Sequence, residues 1–129
     1  MAYLNAVLND SPTIVVAAGA ALTAVGMKAY AYSSGAAVLP SAGAVPAGIA
    51  LADQGDIASG DDIHLVVKDI ARWIAGEALS AGDLLMTHTD GTAKKATAGK
   101  YIYAKALEDA AKDQPALVQI INAGYVPAA

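Results

Sequence analysis

The stretch Ala75-Gly76-Glu77-Ala78-Leu79-Ser80-Ala81-Gly82-Asp83 occurs twice in outline, because Ala18-Gly19-Ala20-Ala21-Leu22-Thr23-Ala24 repeats its first seven residues. Each copy has a glycine, a small-residue step, an apolar leucine, a hydroxyl residue and an alanine. Neither copy sets a nucleophile beside a base or offers a group of metal ligands. The pair therefore reads as scaffold: glycine to turn, alanine to pack closely, Leu22 and Leu79 to anchor.

Working outward, Gly35 matches Gly91, Ser41-Ala42-Gly43 matches Thr97-Ala98-Gly99, and Ala50-Leu51 matches Ala106-Leu107, each pair 56 residues apart. Gly19 and Gly76 lie 57 apart, so one residue of slack falls between Gly26 and Gly35. These pairings divide the chain into two copies of one β-rich unit, about 15–70 and 72–126. Units of this kind bury a face against each other.

Within the first unit, Thr13-Ile14-Val15-Val16 is β-branched enough for a strand. Met27-Lys28-Ala29-Tyr30-Ala31-Tyr32 alternates, with Lys28, Tyr30 and Tyr32 on one face. Ser33-Ser34-Gly35 turns the chain, Ala36–Val38 returns, and an acidic loop from Asp53 to Asp62 leads to Ile63-His64-Leu65-Val66-Val67. The second unit follows the same order: Arg72-Trp73-Ile74, Leu84–Thr87, an Asp90-Gly91 hairpin signal, Thr92–Lys95, Tyr101–Ala106 and Leu117–Ile121. Alanine favours helix, and Ala104–Lys112 has room for two turns, but glycines interrupt the chain and no apolar 3.6-residue period persists. The expected fold is all-β: a compact β-sandwich or barrel-like domain built from two sequence-similar repeats, with at most one or two short helices. Residues 1–14 are expected to form an N-terminal arm and 15–129 a single β domain.

The chain has 129 residues and no phenylalanine, a single tryptophan (Trp73) and six tyrosines. Alanine and glycine supply much of the 56% hydrophobic share, so each half is too small to stand alone. A net charge of −4 argues against gripping nucleic acid by its phosphates. With no cysteine, disulfides and thiolate metal sites are excluded. Ser11–Met27 is uncharged, yet it lacks a basic n-region, follows Asp10, contains Pro12 and is mostly alanine and glycine. A soluble chain without a membrane segment or signal peptide is expected.

Chemistry is sparse. His64 and His88 are far apart and have no ligand spacing. Asp53, Asp56, Asp61 and Asp62 lack the pattern of a calcium loop. Gly43-Ala44-Val45-Pro46-Ala47-Gly48 has phosphate-loop glycine spacing but continues Ile49-Ala50, without the lysine that neutralises phosphate. Ser33-Ser34-Gly35 lacks nucleophile-elbow geometry. No catalytic, cofactor-binding or metal residue is assigned, and no enzyme is expected. Lys94, Lys95, Lys100 and Lys105 form the basic concentration, read as a solvated edge guarded against strand pairing. Tyr30, Tyr32, Tyr101 and Tyr103 have two readings, core filling or a partner interface, since tyrosine gives large contact area at low entropic cost.

The second repeat also carries a family likeness. Ala75–Leu84, then Thr89-Asp90-Gly91, Ala98-Gly99 and Ala104-Lys105-Ala106-Leu107-Glu108-Asp109 resembles the small phage capsid cement, or head decoration, proteins over about residues 72–122. The first copy departs from it, with Val25-Gly26 for Gly82-Asp83 and Ser34-Gly35 for Asp90-Gly91. The resemblance implies a non-enzymatic virion protein, made in the host cytoplasm and bound outside an icosahedral capsid. There it would stabilise the shell by bridging neighbouring major capsid protein subunits. It further implies a homo-oligomer, trimer favoured and dimer possible, with no cofactor, nucleic acid or membrane partner. Tyr3, Leu4, Val7 and Leu8 of the arm, with Tyr30, Tyr32, Tyr101 and Tyr103, are the candidate capsid- or subunit-interface residues; an extended arm can add a strand to a sheet edge. Two rivals stay open. One is a small ligand- or glycan-binding β module with its ligand among the tyrosines, the other a hydrolase using His64 or His88 with nearby aspartates.

Overall fold

The computed structural model describes residues 12–127, and ten strands with no helix make up those residues. In chain order they are β1 (Thr13–Ala17), β2 (Ala29–Ser33), β3 (Ala36–Val38), β4 (Gly48–Ala50), β5 (Asp62–Val66), β6 (Asp69–Ile74), β7 (Leu84–Thr87), β8 (Ala93–Lys95), β9 (Tyr101–Ala106) and β10 (Pro115–Tyr125). They form two five-stranded antiparallel sheets, ordered β1-β5-β4-β2-β3 and β6-β10-β9-β7-β8. Adding five to each strand number of the first order gives the second. The all-β class is as expected from the alternating segments. We call β1–β5 the first lobe and β6–β10 the second.

Five strands that alternate in direction cannot close into a ring without one parallel contact. Each sheet makes that contact once, through Ala18 with Ala37 in the first lobe and Ala75 with Ala93 in the second. The next residue secures it: Gly19 N donates to Ala37 O at 2.8 Å, and Gly76 N to Ala93 O at 2.7 Å. A side chain does not fit here. A Cβ on Gly19 would lie 2.8 Å from Val38 Cγ1, and one on Gly76 would run into Thr92 Oγ1. The repeated Ala-Gly is thus the point where each sheet curls back on itself. Three residues on, Leu22 bridges Ile57 and Leu79 bridges Ala110, plugging the end of each lobe. Leu22 is 6% exposed and Leu79 3%, so each burial contributes about 2 kcal/mol.

The first lobe encloses Val16, Ala18, Leu22, Val25, Tyr30, Ala37, Ala50, Ile63 and Leu65. The second encloses Trp73, Leu85, Tyr103, Val118 and Ile120 among smaller residues, and its cluster takes in Ala29, Ile49 and Val66 from the first sheet. That sheet is therefore covered on both faces, by its own interior and by the second lobe. This explains why Ala29 and Tyr30, neighbours with opposite facings, are both buried. Alternation along β2 marks its two faces but does not reveal that both are covered.

Candidate functional site

Backbone hydrogen bonds join the lobes: Ala29 N to Gly91 O at 2.8 Å, Ile74 N to Met27 O at 2.9 Å, Gly43 N to Thr87 O at 2.8 Å and Tyr101 N to Gly43 O at 3.1 Å. Thr87 Oγ1 adds donations to Ser41 O at 3.4 Å and Ala44 O at 3.3 Å. Beside them a cleft of about 290 Å³ is lined from both sides, with Met27, Leu51 and Val66 facing Ala71, Arg72 and Leu117. Gly91 has φ +84°, and a Cβ there would lie 2.8 Å from Ala29 O. The β7–β8 turn therefore needs glycine to reach the first lobe.

Because the two ladders correspond strand for strand, each residue of this junction has a counterpart on the lobe that lacks a neighbour. Val15 occupies in the first lobe the place of Arg72, Tyr32 that of Thr87, and Val45 that of Tyr101. In the second lobe, Leu84 occupies the place of Ala29 and Leu107 that of Leu51. These five are among the seven large apolar side chains left exposed on the described residues: Val15 54%, Tyr32 54%, Val45 49%, Leu84 44% and Leu107 37%, with Leu39 and Tyr125 the others. Isolated exposed apolar residues need no explanation, but these five fall at the positions of one repeated junction. The second lobe's half is the more polar, with Lys105 where the first has Ile49 and Gln119 where it has Val66. Part of it is covered by the chain itself: Gly99 N donates to Val126 O at 3.0 Å, as Gly43 N does to Thr87 O.

The tyrosines separate. Tyr32 is exposed, whereas Tyr30 (1%) and Tyr103 (2%) are core residues. Burial pushes the Tyr30 phenol up to about 12, and burial with Tyr101 nearby raises that of Tyr103 further. Tyr103 meets Trp73 edge to face, ring centroids 5.8 Å apart. Half-buried Tyr101 packs edge to face on exposed Tyr125 at 5.3 Å and donates to Asn122 Oδ1 at 2.8 Å. Sequence reasoning passed over Tyr125, Val15, Val45, Leu84 and Leu107. The signal that could have found Val15, Val45 and Leu107 was the repeat itself, by asking which equivalents of junction residues have no partner; Leu84 stands 55 residues from Ala29, off the repeat spacing, and only the strand register pairs them. Tyr3, Leu4, Val7 and Leu8 lie outside the described residues.

His64 is exposed on β5, with its backbone bonded on both sides to the Gln54 side chain, at 2.9 and 2.8 Å. His88 begins the β7–β8 turn beside Asp90. Burial opposes ionisation of Asp90, but hydrogen bonds from the Thr92 hydroxyl (2.6 Å) and amide (3.1 Å), with His88 nearby, outweigh it and hold the carboxyl below its usual range. Among the described residues no three His, Asp or Glu side chains gather closely enough to hold a metal ion.

No family model matches the chain, and no curated protein matches it in sequence. Among solved structures, the chain is similar to the N base of head fiber gp8.5 in bacteriophage phi29, with a TM-score of 0.70 and 22% identity over 88% of this chain and 96% of that one. At that identity the likeness is one of fold.

Proposed function

We propose that this chain is a phage head-associated structural protein that binds copies of itself head to tail. On this reading it sits on the outside of the icosahedral shell, bridges neighbouring major capsid protein subunits and has no enzymatic role. The observation that carries the proposal is the pair of unmatched half-interfaces, Val15, Tyr32 and Val45 on one lobe and Leu84 and Leu107 on the other. A contact between copies that uses them repeats a geometry the chain already makes internally, and such a heterologous contact closes into a ring when the rotation permits. A ring with several modest contacts to the shell would hold it by avidity, resisting separation of the subunits beneath. The fold likeness to a phage head fiber base supports the head-associated part of the reading.

Incubating the purified protein with empty shells of its phage tests this. Binding in a fixed ratio to the major capsid protein, with a raised shell dissociation temperature, is the expected result. Shells that bind none, or that dissociate at an unchanged temperature, would overturn the capsid-bridging role.

A further inference from the structure

A second pocket, of about 190 Å³, opens where the Asp90 turn of the second lobe overhangs the repeated motif of the first. Its walls are Leu22 and Leu39, and its polar groups come from Thr23, Lys28, Tyr30 and Asp90. Among the described residues no fully buried side-chain nitrogen or oxygen lacks a partner, and the Tyr30 hydroxyl bonds to no described protein group. The Tyr30 hydroxyl therefore reaches solvent, and Tyr30 lines this pocket. A hydroxyl that reaches water but has no protein partner adds no hydrogen bond to the fold, and phenylalanine would fill the same space in the core. A hydroxyl with no protein partner, on a residue lining a pocket with other polar groups, is free to bond a ligand.

We infer that this pocket binds a single sugar ring, held by the Tyr30, Thr23 and Lys28 donors and the Asp90 carboxylate. The charge pattern selects the class. Lys28 and Asp90 carry opposite charges at one small site, so a net anion or cation gains from one and loses to the other. A neutral polyol gives hydroxyls to both, donating to the carboxylate and accepting from the ammonium. Leu22 and Leu39 offer an apolar wall for the C–H face of the ring. The volume lies below the range of about 300–1,000 Å³ usual for drug-sized ligands, so one ring fits and a chain does not. A zwitterion such as an amino acid shares the charge pattern but not the array of hydroxyls.

The test uses the full chain in solution. Methyl glycosides of glucose, galactose, mannose and N-acetylglucosamine, with glycine as the zwitterion, are titrated while backbone amide resonances are followed. Saturable millimolar binding of at least one glycoside is expected, shifting Lys28, Tyr30 and Asp90. In Tyr30→Phe, whose remaining spectrum should show an intact fold, the affinity should fall about tenfold, the value of one hydrogen bond. If no glycoside binds, if only glycine does, or if Tyr30→Phe binds as well as the parent chain, the sugar site is refuted. The last result would assign the Tyr30 hydroxyl to water alone. None of these outcomes bears on capsid binding.

Discussion

Trp73 and Ala29, from different lobes, donate to one acceptor: the indole Nε1 and the Ala29 amide each lie 2.8 Å from the carbonyl oxygen of Gly91. The β7–β8 turn is thereby tied at one atom to the second lobe's core and to the first lobe's sheet. Trp73 is fully buried, so its packing and this bond act together. Trp73→Phe is expected to cost about 2–3 kcal/mol, from lost volume plus one hydrogen bond. Urea unfolding followed by circular dichroism measures it. A loss below about 0.5 kcal/mol would show that the shared acceptor contributes little.

Closure of the first lobe depends on the absence of a side chain at Gly19, where the nearest obstacle is Val38 Cγ1. Gly19→Ala should destabilise by about 1–3 kcal/mol through overpacking. Adding Val38→Ala should recover part of that loss, because Ala36 Cβ and Ala37 O remain close at 3.3 Å. Strict additivity of the two changes in a double-mutant cycle would contradict a steric origin.

Tyr32 and Leu84 lie on opposite halves of the proposed contact between copies. Tyr32→Glu or Leu84→Glu alone is expected to shift the protein to monomer in light scattering while changing stability by no more than about 0.5 kcal/mol, since both side chains are exposed. Retention of the parent's oligomeric state by both variants would remove the head-to-tail contact.

The pH dependence follows from Tyr30. Burial raises its pKa from 10.0 to about 12 in the folded chain, so the native state holds this proton more tightly than the unfolded one. The resulting stability is fully present below pH 10 and is lost as pH rises toward 12. Tyr30→Phe should therefore flatten that part of the alkaline stability curve. Phenolate absorbance in the parent should show a late-titrating group that the variant lacks. Buried Tyr103 titrates later still and remains in both.

Much of the fold is legible in the residues. Gly35 with Gly91, and Ala50-Leu51 with Ala106-Leu107, can be paired by eye, and the halves they define build sheets of one strand order. Leu84–Thr87 and Tyr101–Ala106 are strands at the bounds the sequence suggests. The candidate site was less legible. Tyr30 and Tyr32 stand in one alternating run, Ala29-Tyr30-Ala31-Tyr32, yet one is 1% exposed and the other 54%. β2 runs from between the lobes out to a solvent-facing hairpin, and a two-residue period carries no information about that depth.

The sequence by itself determined the all-β class, the twofold recurrence of Ala-Gly-x-Ala-Leu, and a surface without cysteine chemistry. These depend on local backbone preference and on residue identity, which act over a few positions. Only the tertiary structure decided that Ala18 and Ala75 close their sheets against Ala37 and Ala93, because five antiparallel strands require one parallel contact and no local pattern names its partner. It alone decided that Val15, Tyr32, Val45, Leu84 and Leu107 are left over from a junction made once within the chain. Exposure there is a difference between two similar lobes, one neighbour covering each, and appears only when both are in place.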